Sequence, residues 1–173
     1  MNEVLNESAA EQLSEAERRE IEDFLFREAR LADESLYTEW EALVDDDMYY
    51  WIPRVDPDPA RGRQVSITSD NRSRLANRIK QLNTGVRHAQ VPPSPMRRMI
   101  ANIELSRRGA GEYTAEYNFS LFEMRVQSTG HMQIWAGRME LHLRRQSDGL
   151  RMFYKRVNLI NADTPIPSIA FIL

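Results

Sequence analysis

The chain has 173 residues and no cysteine. That excludes a thiolate nucleophile, a disulfide and a cysteine-ligated iron–sulfur cluster within this chain, and it fits a reducing compartment. Histidine is scarce too, with only His88, His131 and His142. On one straight strand His131 and His142 point to opposite faces and lie about 30 Å apart along the chain, so they cannot share a metal there. A two-histidine, one-carboxylate iron site would need His88 and a sharply bent fold. Apolar runs are short of the roughly 20 residues that span a membrane. The first dozen residues are polar and acidic, without the basic-then-apolar order of a secretory signal. Positive charge is not in excess either, since 23 Lys and Arg against 26 Asp and Glu leave a net charge of −3. There is therefore no bulk electrostatic case for nucleic acid. Neither a glycine-rich phosphate loop nor a nucleophile elbow occurs. These absences describe a cytoplasmic protein with no nucleic-acid or membrane partner and no metal, cofactor or catalytic residue set of its own.

What is present is pattern. Residues 1–13 read as a mobile arm and 14–173 as one α+β domain. Ser14 followed by Glu17 is a capping-box signal. Ile21, Phe24, Leu25, Glu28, Ala29 and Ala32 recur at helical spacing, which predicts a helix from about Glu15 to Ala32. Leu36, Tyr37, Trp40, Leu43 and Val44 make a second helical stripe, and Asp45-Asp46-Asp47 is expected to end it as a solvated turn. Those three carboxylates lack the interleaved ligands and glycine of a calcium loop. Met48 to Ile52 reads as an aromatic strand stopped by Pro53, and Val65 to Thr68 as a short strand. Asp70 is expected to cap a third helix carrying Leu75, Ile79 and Leu82.

Everything after Pro95 reads as antiparallel strands: Met96 to Ser106, then a long hairpin from Tyr113 to Arg145, then a return through Phe153 and Val157. Helices followed by such a meander predict a curved sheet packed on helices. In the hairpin the apolar positions are odd at the base (Tyr113, Ala115, Tyr117, Phe119, Leu121) and even at the tip (Phe122, Met124, Val126). The second strand mirrors this with Met132, Ile134 and Ala136, then Met139, Leu141 and Leu143. A change of parity is a change of face. Either a bulge near Leu121 or Gly137 resets it, or the base packs on this chain and the tip on another. A three-residue loop, Ser128-Thr129-Gly130, predicts Met124 opposite Ile134 and Tyr117 opposite Leu141. Ser147-Asp148-Gly149 predicts Leu143 opposite Phe153 and Met139 opposite Val157. The apolar segment Ile166 to Leu173 is expected to dock on the sheet or a neighbour.

A curved sheet on helices makes a conical pocket, in which Tyr49, Tyr50, Asp70, His88 or Glu104 can supply an acid or base. Nothing beyond residue type singles them out. One reading of the chain is thus a free-standing isomerase or dehydratase that uses the cone, and another is a homo-oligomeric ligand-binding module.

A third reading comes from resemblance. The stretches Phe24 to Asp33, Tyr37 to Leu43 with Glu39-Trp40, and Asp70-Asn71 through Thr84-Gly85 come first. Pro92-Pro93-Ser94-Pro95-Met96-Arg97-Arg98-Met99-Ile100-Ala101-Asn102-Ile103 and Val157 to Asn161 with the Ile166 to Leu173 end follow. In that order they resemble the small (β) subunit of bacterial aromatic-ring-hydroxylating dioxygenases. The stretch Val86 to Gln90 departs from that pattern. The resemblance implies a cystatin-like cone, shared with ketosteroid isomerase and scytalone dehydratase. It implies three small subunits in a ring beneath three large ones. It places the Rieske 2Fe–2S cluster and the mononuclear Fe(II) in the large subunit, with electrons arriving from NAD(P)H through ferredoxin and reductase components. The small subunit is then structural. The residues expected at its interfaces are Arg97, Arg98 and Asn102 on the strand after the prolines and Phe122, Met124, Val126, Met132 and Ile134 at the hairpin tip.

Overall fold

Ser14 opens the first helix as its sequence requires: its hydroxyl accepts from the Glu17 N–H at 3.2 Å while the Glu17 carboxylate accepts from the Ser14 N–H at 2.8 Å. Helix α1 (Glu15–Asp33) buries Ile21, Phe24, Leu25, Leu31 and Ala32. A one-turn helix, α2 (Tyr37–Glu41), buries Tyr37 and Trp40. The structure, a computed structural model, describes residues 12–54, 66–85, 92–126 and 130–173. The expected arm falls almost wholly outside them, as does His88.

The strands are β1 (Val44–Pro53), β2 (Ser66–Asn71), β3 (Met96–Gly109), β4 (Glu112–Arg125), β5 (His131–Gln146) and β6 (Gly149–Leu159), with helix α3 (Arg72–Asn83) after β2. They form one six-stranded sheet in the order β2-β1-β6-β5-β4-β3. The meander of β3 to β6 is antiparallel throughout, but β1 joins it parallel to β6. The α+β cone is thus as expected, with one parallel pair added to the antiparallel sheet.

Three local expectations are corrected. Asp45, Asp46 and Asp47 are not a turn but the start of β1. The guanidinium of Arg144 draws Asp45 and Asp47 onto the sheet, at 2.9 and 3.1 Å. Helix α3 is capped by Asn71, whose side chain accepts from the Arg74 N–H at 3.0 Å. Asp70 lies one residue earlier on β2 and pairs with Arg78 at 2.6 Å. The hairpin register is displaced by two residues: Met124 pairs with Met132, Phe122 with Ile134, and Tyr117 with Met139. A shift of two preserves the pleat, so every side chain keeps its expected face.

Of the two alternatives for the parity change, the bulge within the hairpin is not observed. The β4–β5 ladder runs without a register shift, so there is no bulge at Leu121 or Gly137 in that pair. The inner face nevertheless stays buried to the tip, because Leu121, Glu123 and Trp135 continue the line of Tyr113, Ala115, Tyr117 and Phe119. The bulge lies instead in β6, between the Leu143–Met152 and His142–Tyr154 pairs. Leu150 and Met152 face inward before it, and Lys155, Val157 and Leu159 after it. Leu143 therefore pairs with Met152 rather than Phe153, while Met139 meets Val157 as expected. At Gly137 a Cβ would stand 2.0 Å from the Asn158 carbonyl oxygen, so close approach of β5 to β6 requires glycine there.

Candidate functional site

Two places in this fold have unusual chemistry, and the first is the inside of the cone. Glu28 comes from the apolar stripe of α1 and Lys155 from the inward face of β6, and both side chains are fully buried. The Lys155 ammonium meets Glu28 Oε1 at 2.5 Å, and Trp40 Nε1–H donates to the same oxygen at 2.7 Å. Next to them Arg98 of β3 donates from Nε to Asp33 Oδ1, and its backbone N–H donates to Oδ2, each at 2.7 Å. Burial alone would raise the Glu28 carboxyl, but Lys155 and Arg98 outweigh it and hold it below the usual carboxylate range. Burial lowers the Lys155 ammonium to about 8, opposed by Glu28, so the pair is ionic at neutral pH. Burial raises the phenols of Tyr50 and Tyr117.

The chain's own residues 171–173 also lie in this interior. Phe171, Ile172 and Leu173 are buried. Phe171 sets its ring edge-on to Trp135 of β5, 5.9 Å between centroids. Arg98 Nη2–H donates to the Ile172 carbonyl at 3.0 Å, and the Leu173 N–H donates to the Tyr50 hydroxyl at 3.2 Å. Residues from β1, β3 and β5 thus grip one irregular segment on the inner face of the sheet. Residues 171–173 thus occupy part of the cone's interior.

Of the acid–base candidates, Tyr50 lines this interior and Asp70 is engaged by Arg78. Tyr49 and Glu104 lie outside it: Tyr49 bonds Ser69 at 2.7 Å and Glu104 pairs with Arg138 at 2.9 Å. His88 is outside the described residues, and His131 and His142 sit near opposite ends of β5. Among the described residues no three His, Asp or Glu side chains converge as metal ligands. Glu28, Lys155, Asp33 and Trp40 were not candidates. Glu28 carried a signal, a carboxylate within an apolar helical stripe.

The second place is the outer face at the tip. Met99 of β3 pairs with Ser120, Ser120 with Ala136, and the Ile160 N–H reaches the Ala136 carbonyl at 3.1 Å. The next rung sets Arg97 beside Phe122 and Phe122 beside Ile134, and beyond it Met124 faces Met132. Met99 is 66% exposed, Val126 41%, Met132 54%, Ile134 54% and Ile160 79%. Arg97 is exposed beside a groove of about 260 Å³ lined by Phe26, Ala29, Arg30 and Ile100. Asn102 is exposed at the irregularity in β3 with φ of 53°. Arg98, expected at an interface, turns its guanidinium to Asp33 inside the chain.

The base of the same outer face is closed by its own partners. Arg138 bonds Glu104 and Glu116, and Arg156 stacks over Trp51 at 4.9 Å. His142 stacks on Tyr154 at 4.5 Å and meets Glu140 at 2.8 Å. Burial lowers the His142 imidazole, against the pull of Glu140.

Comparison with known proteins places this geometry. Residues 27–164 match the family described as ring hydroxylating beta subunit. The small oxygenase component of the p-cumate 2,3-dioxygenase system of Pseudomonas putida is 30% identical over 141 residues, covering 80% of this chain and 77% of the relative. The β subunit of the benzoate 1,2-dioxygenase of Burkholderia mallei superposes with a TM-score of 0.73 at 23% identity, over 93% of this chain and 99% of that one. An NTF2-like protein with a cystatin-like fold from Novosphingobium aromaticivorans gives a TM-score of 0.57 at 15% identity, over 84% and 83% of the two chains. With a family match over most of its length and a relative 30% identical, the chain belongs to the ring hydroxylating β-subunit family.

Proposed function

We propose that this chain is the structural, non-catalytic small subunit of a multicomponent aromatic-ring-hydroxylating dioxygenase, working in the cytoplasm in the breakdown of aromatic compounds. Its partner is the large oxygenase subunit, in an assembly of three large and three small chains. The large subunit carries the Rieske cluster and the mononuclear iron. Half of the Rieske ligand set is cysteine, which this chain lacks. Electrons reach those centres from NAD(P)H through ferredoxin and reductase components. The small subunit holds the large ones in register.

The observation that carries this reading is the apolar strip of Met99, Phe122, Met124, Val126, Met132 and Ile134 on the outer face. Contiguous apolar surface rimmed by polar residues marks an interaction site, and each large side chain covered there contributes roughly 1.5–3 kcal/mol. Arg97 and Asn102 border the strip and belong to the same proposed interface. The isomerase reading needs an open cone, and the burial of residues 171–173 inside it speaks against that reading.

The experiment is co-expression with the large subunit encoded alongside it, followed by mass measurement of the purified material. The expected result is one hetero-oligomer. A small chain that never co-purifies and stays a stable monomer would sink the proposal.

A further inference from the structure

Oxidisable sulfur in this chain is confined to methionine, because there is no cysteine. The methionines among the described residues divide into two groups. Met48, Met96, Met139 and Met152 are buried in the core, at 3% exposure or less. The others stand together on the outer face at the tip: Met99 is 66% exposed, Met132 is 54% exposed, and Met124 is half-buried opposite Met132.

The ladder fixes their arrangement. Met99 shares a rung with Ser120 and Ala136, the next rung on that face carries Arg97, Phe122 and Ile134, and Met124 with Met132 makes the one beyond. The methionines therefore stand at both ends of the apolar strip, with Phe122 and Ile134 between them. Met99 and Met132 are about 10 Å apart across the strands and about 13 Å along them. A standard interface covers about 800 Å² of each partner, so one that covers Phe122 and Ile134 covers both ends as well.

A thioether is apolar and polarizable, which suits an adaptable contact, but its sulfur is also open to oxidation. Phe122, Val126, Ile134 and Ile160 on the same face lack that chemistry. Sulfur takes one oxygen from hydrogen peroxide: an S–O bond forms as the O–O bond breaks, and the departing hydroxide takes up the proton of the transferred oxygen and leaves as water. The sulfur loses two electrons and the peroxide gains them. The sulfoxide is polar, and under a surface that meets hydrocarbon its oxygen is buried without a donor.

We propose that Met99 and Met132, with Met124, form an oxidation switch on this strip: hydrogen peroxide converts them to sulfoxides in the free chain, and the oxidised chain docks more weakly. The proposal rests on the reading of the strip as the surface that meets the large subunit. Sulfoxide reductases, one for each epimer, reset the switch: two thiols become a disulfide, and the sulfoxide oxygen leaves as water.

The test treats the free full chain with hydrogen peroxide, removes the peroxide and mixes the chain with untreated large subunit. Peptide mass spectrometry should find sulfoxide first at Met99 and Met132 and none at Met48, Met96, Met139 or Met152. Association measured by light scattering should weaken at least about tenfold, as for loss of one covered apolar side chain, and return after treatment with the reductases. The unfolding temperature of the oxidised chain should match that of the untreated chain, because the altered residues lie on the surface. A chain oxidised at Met99 and Met132 that binds as tightly as before overturns the proposal, and so does sulfoxide that forms as readily at the buried methionines. Lost binding that the reductases do not restore, or that comes with a lowered unfolding temperature, also overturns it, because the fold and not the strip has then responded. An untreated chain that fails to associate shows instead that the docking reading has failed, and the switch falls with it.

Discussion

The interior of the cone and the tip of its outer face depart in opposite directions from the arrangement of apolar side chains inside and polar ones outside. Inside, where hydrocarbon is the easy choice, stand Glu28, Lys155, Arg98 and Asp33. Outside, where polar residues are the easy choice, stand Met99, Val126, Met132, Ile134 and Ile160. The difference lies in how each departure is compensated. The interior charges find opposite charges within the chain, Lys155 on Glu28 and Arg98 on Asp33. The tip residues have only water. On the proposed function, the paired interior keeps the shape fixed and the exposed apolar tip is offered to a neighbour.

Breaking the interior should have the largest effect. Lys155→Met leaves the Glu28 carboxylate buried without its ammonium, and loss of one partner from such a pair costs about 3–5 kcal/mol. Replacing both, as Glu28→Leu with Lys155→Met, should restore most of that stability, because two desolvated charges give way to hydrocarbon. Recovery should stop short of complete, since Trp40 Nε1 then loses its acceptor. Urea unfolding of the single and double variants measures this. A single variant within about 1 kcal/mol of the wild type would mean that water reaches the pair and the interior is not closed.

The tip should respond in the opposite way. Met132→Asp with Ile134→Asp places charge on residues already more than half exposed, so unfolding of the isolated chain should shift by no more than about 0.5 kcal/mol. Association with the large subunit should weaken by at least about 2 kcal/mol, or roughly 30-fold, as for a central interface anchor. Titration of the two subunits by light scattering or calorimetry checks the second figure. Loss of stability without loss of association would reverse the assignment of this face.

How far these regions were legible in the sequence follows from the range of the interactions that make them. Alternation along β4 and β5 is local, so the face of every tip residue could be read. The register across the hairpin depends on the loop, and pairing His131 with Arg125 rather than Gln127 moves every pair by two without changing a face. The true change of parity lies in β6, from Leu150 and Met152 to Val157 and Leu159. Asp45 and Asp47 read as a turn because the residue that holds them, Arg144, is about a hundred positions away. Glu28 and Lys155 are separated by 127 positions. Each was visible as a charged residue on an otherwise apolar face, yet nothing in one sequence joins two such residues.

The base of the outer face lies between the two extremes and should show the smallest effect. His142 is packed between Tyr154 and Phe153 and bonded to Glu140, with Arg108 nearby at 3.4 Å. Burial keeps its imidazole below the ordinary value of 6.5 despite Glu140. In the unfolded chain it takes up a proton as pH falls through about 6.5, whereas in the folded chain uptake is delayed to lower pH. Over that window the unfolded state binds more protons, so stability present above pH 6.5 is lost progressively on acidification. His142→Gln removes the titrating group and should flatten the stability profile below about pH 6.5. The Tyr154 side chain and the Glu140 carboxylate remain in place. The tip variant carries no change in this part of the sheet and should keep the wild-type slope. If the slope survives in His142→Gln, the histidine is protonated in the folded chain, and the base of the face is wetter than its stacking indicates.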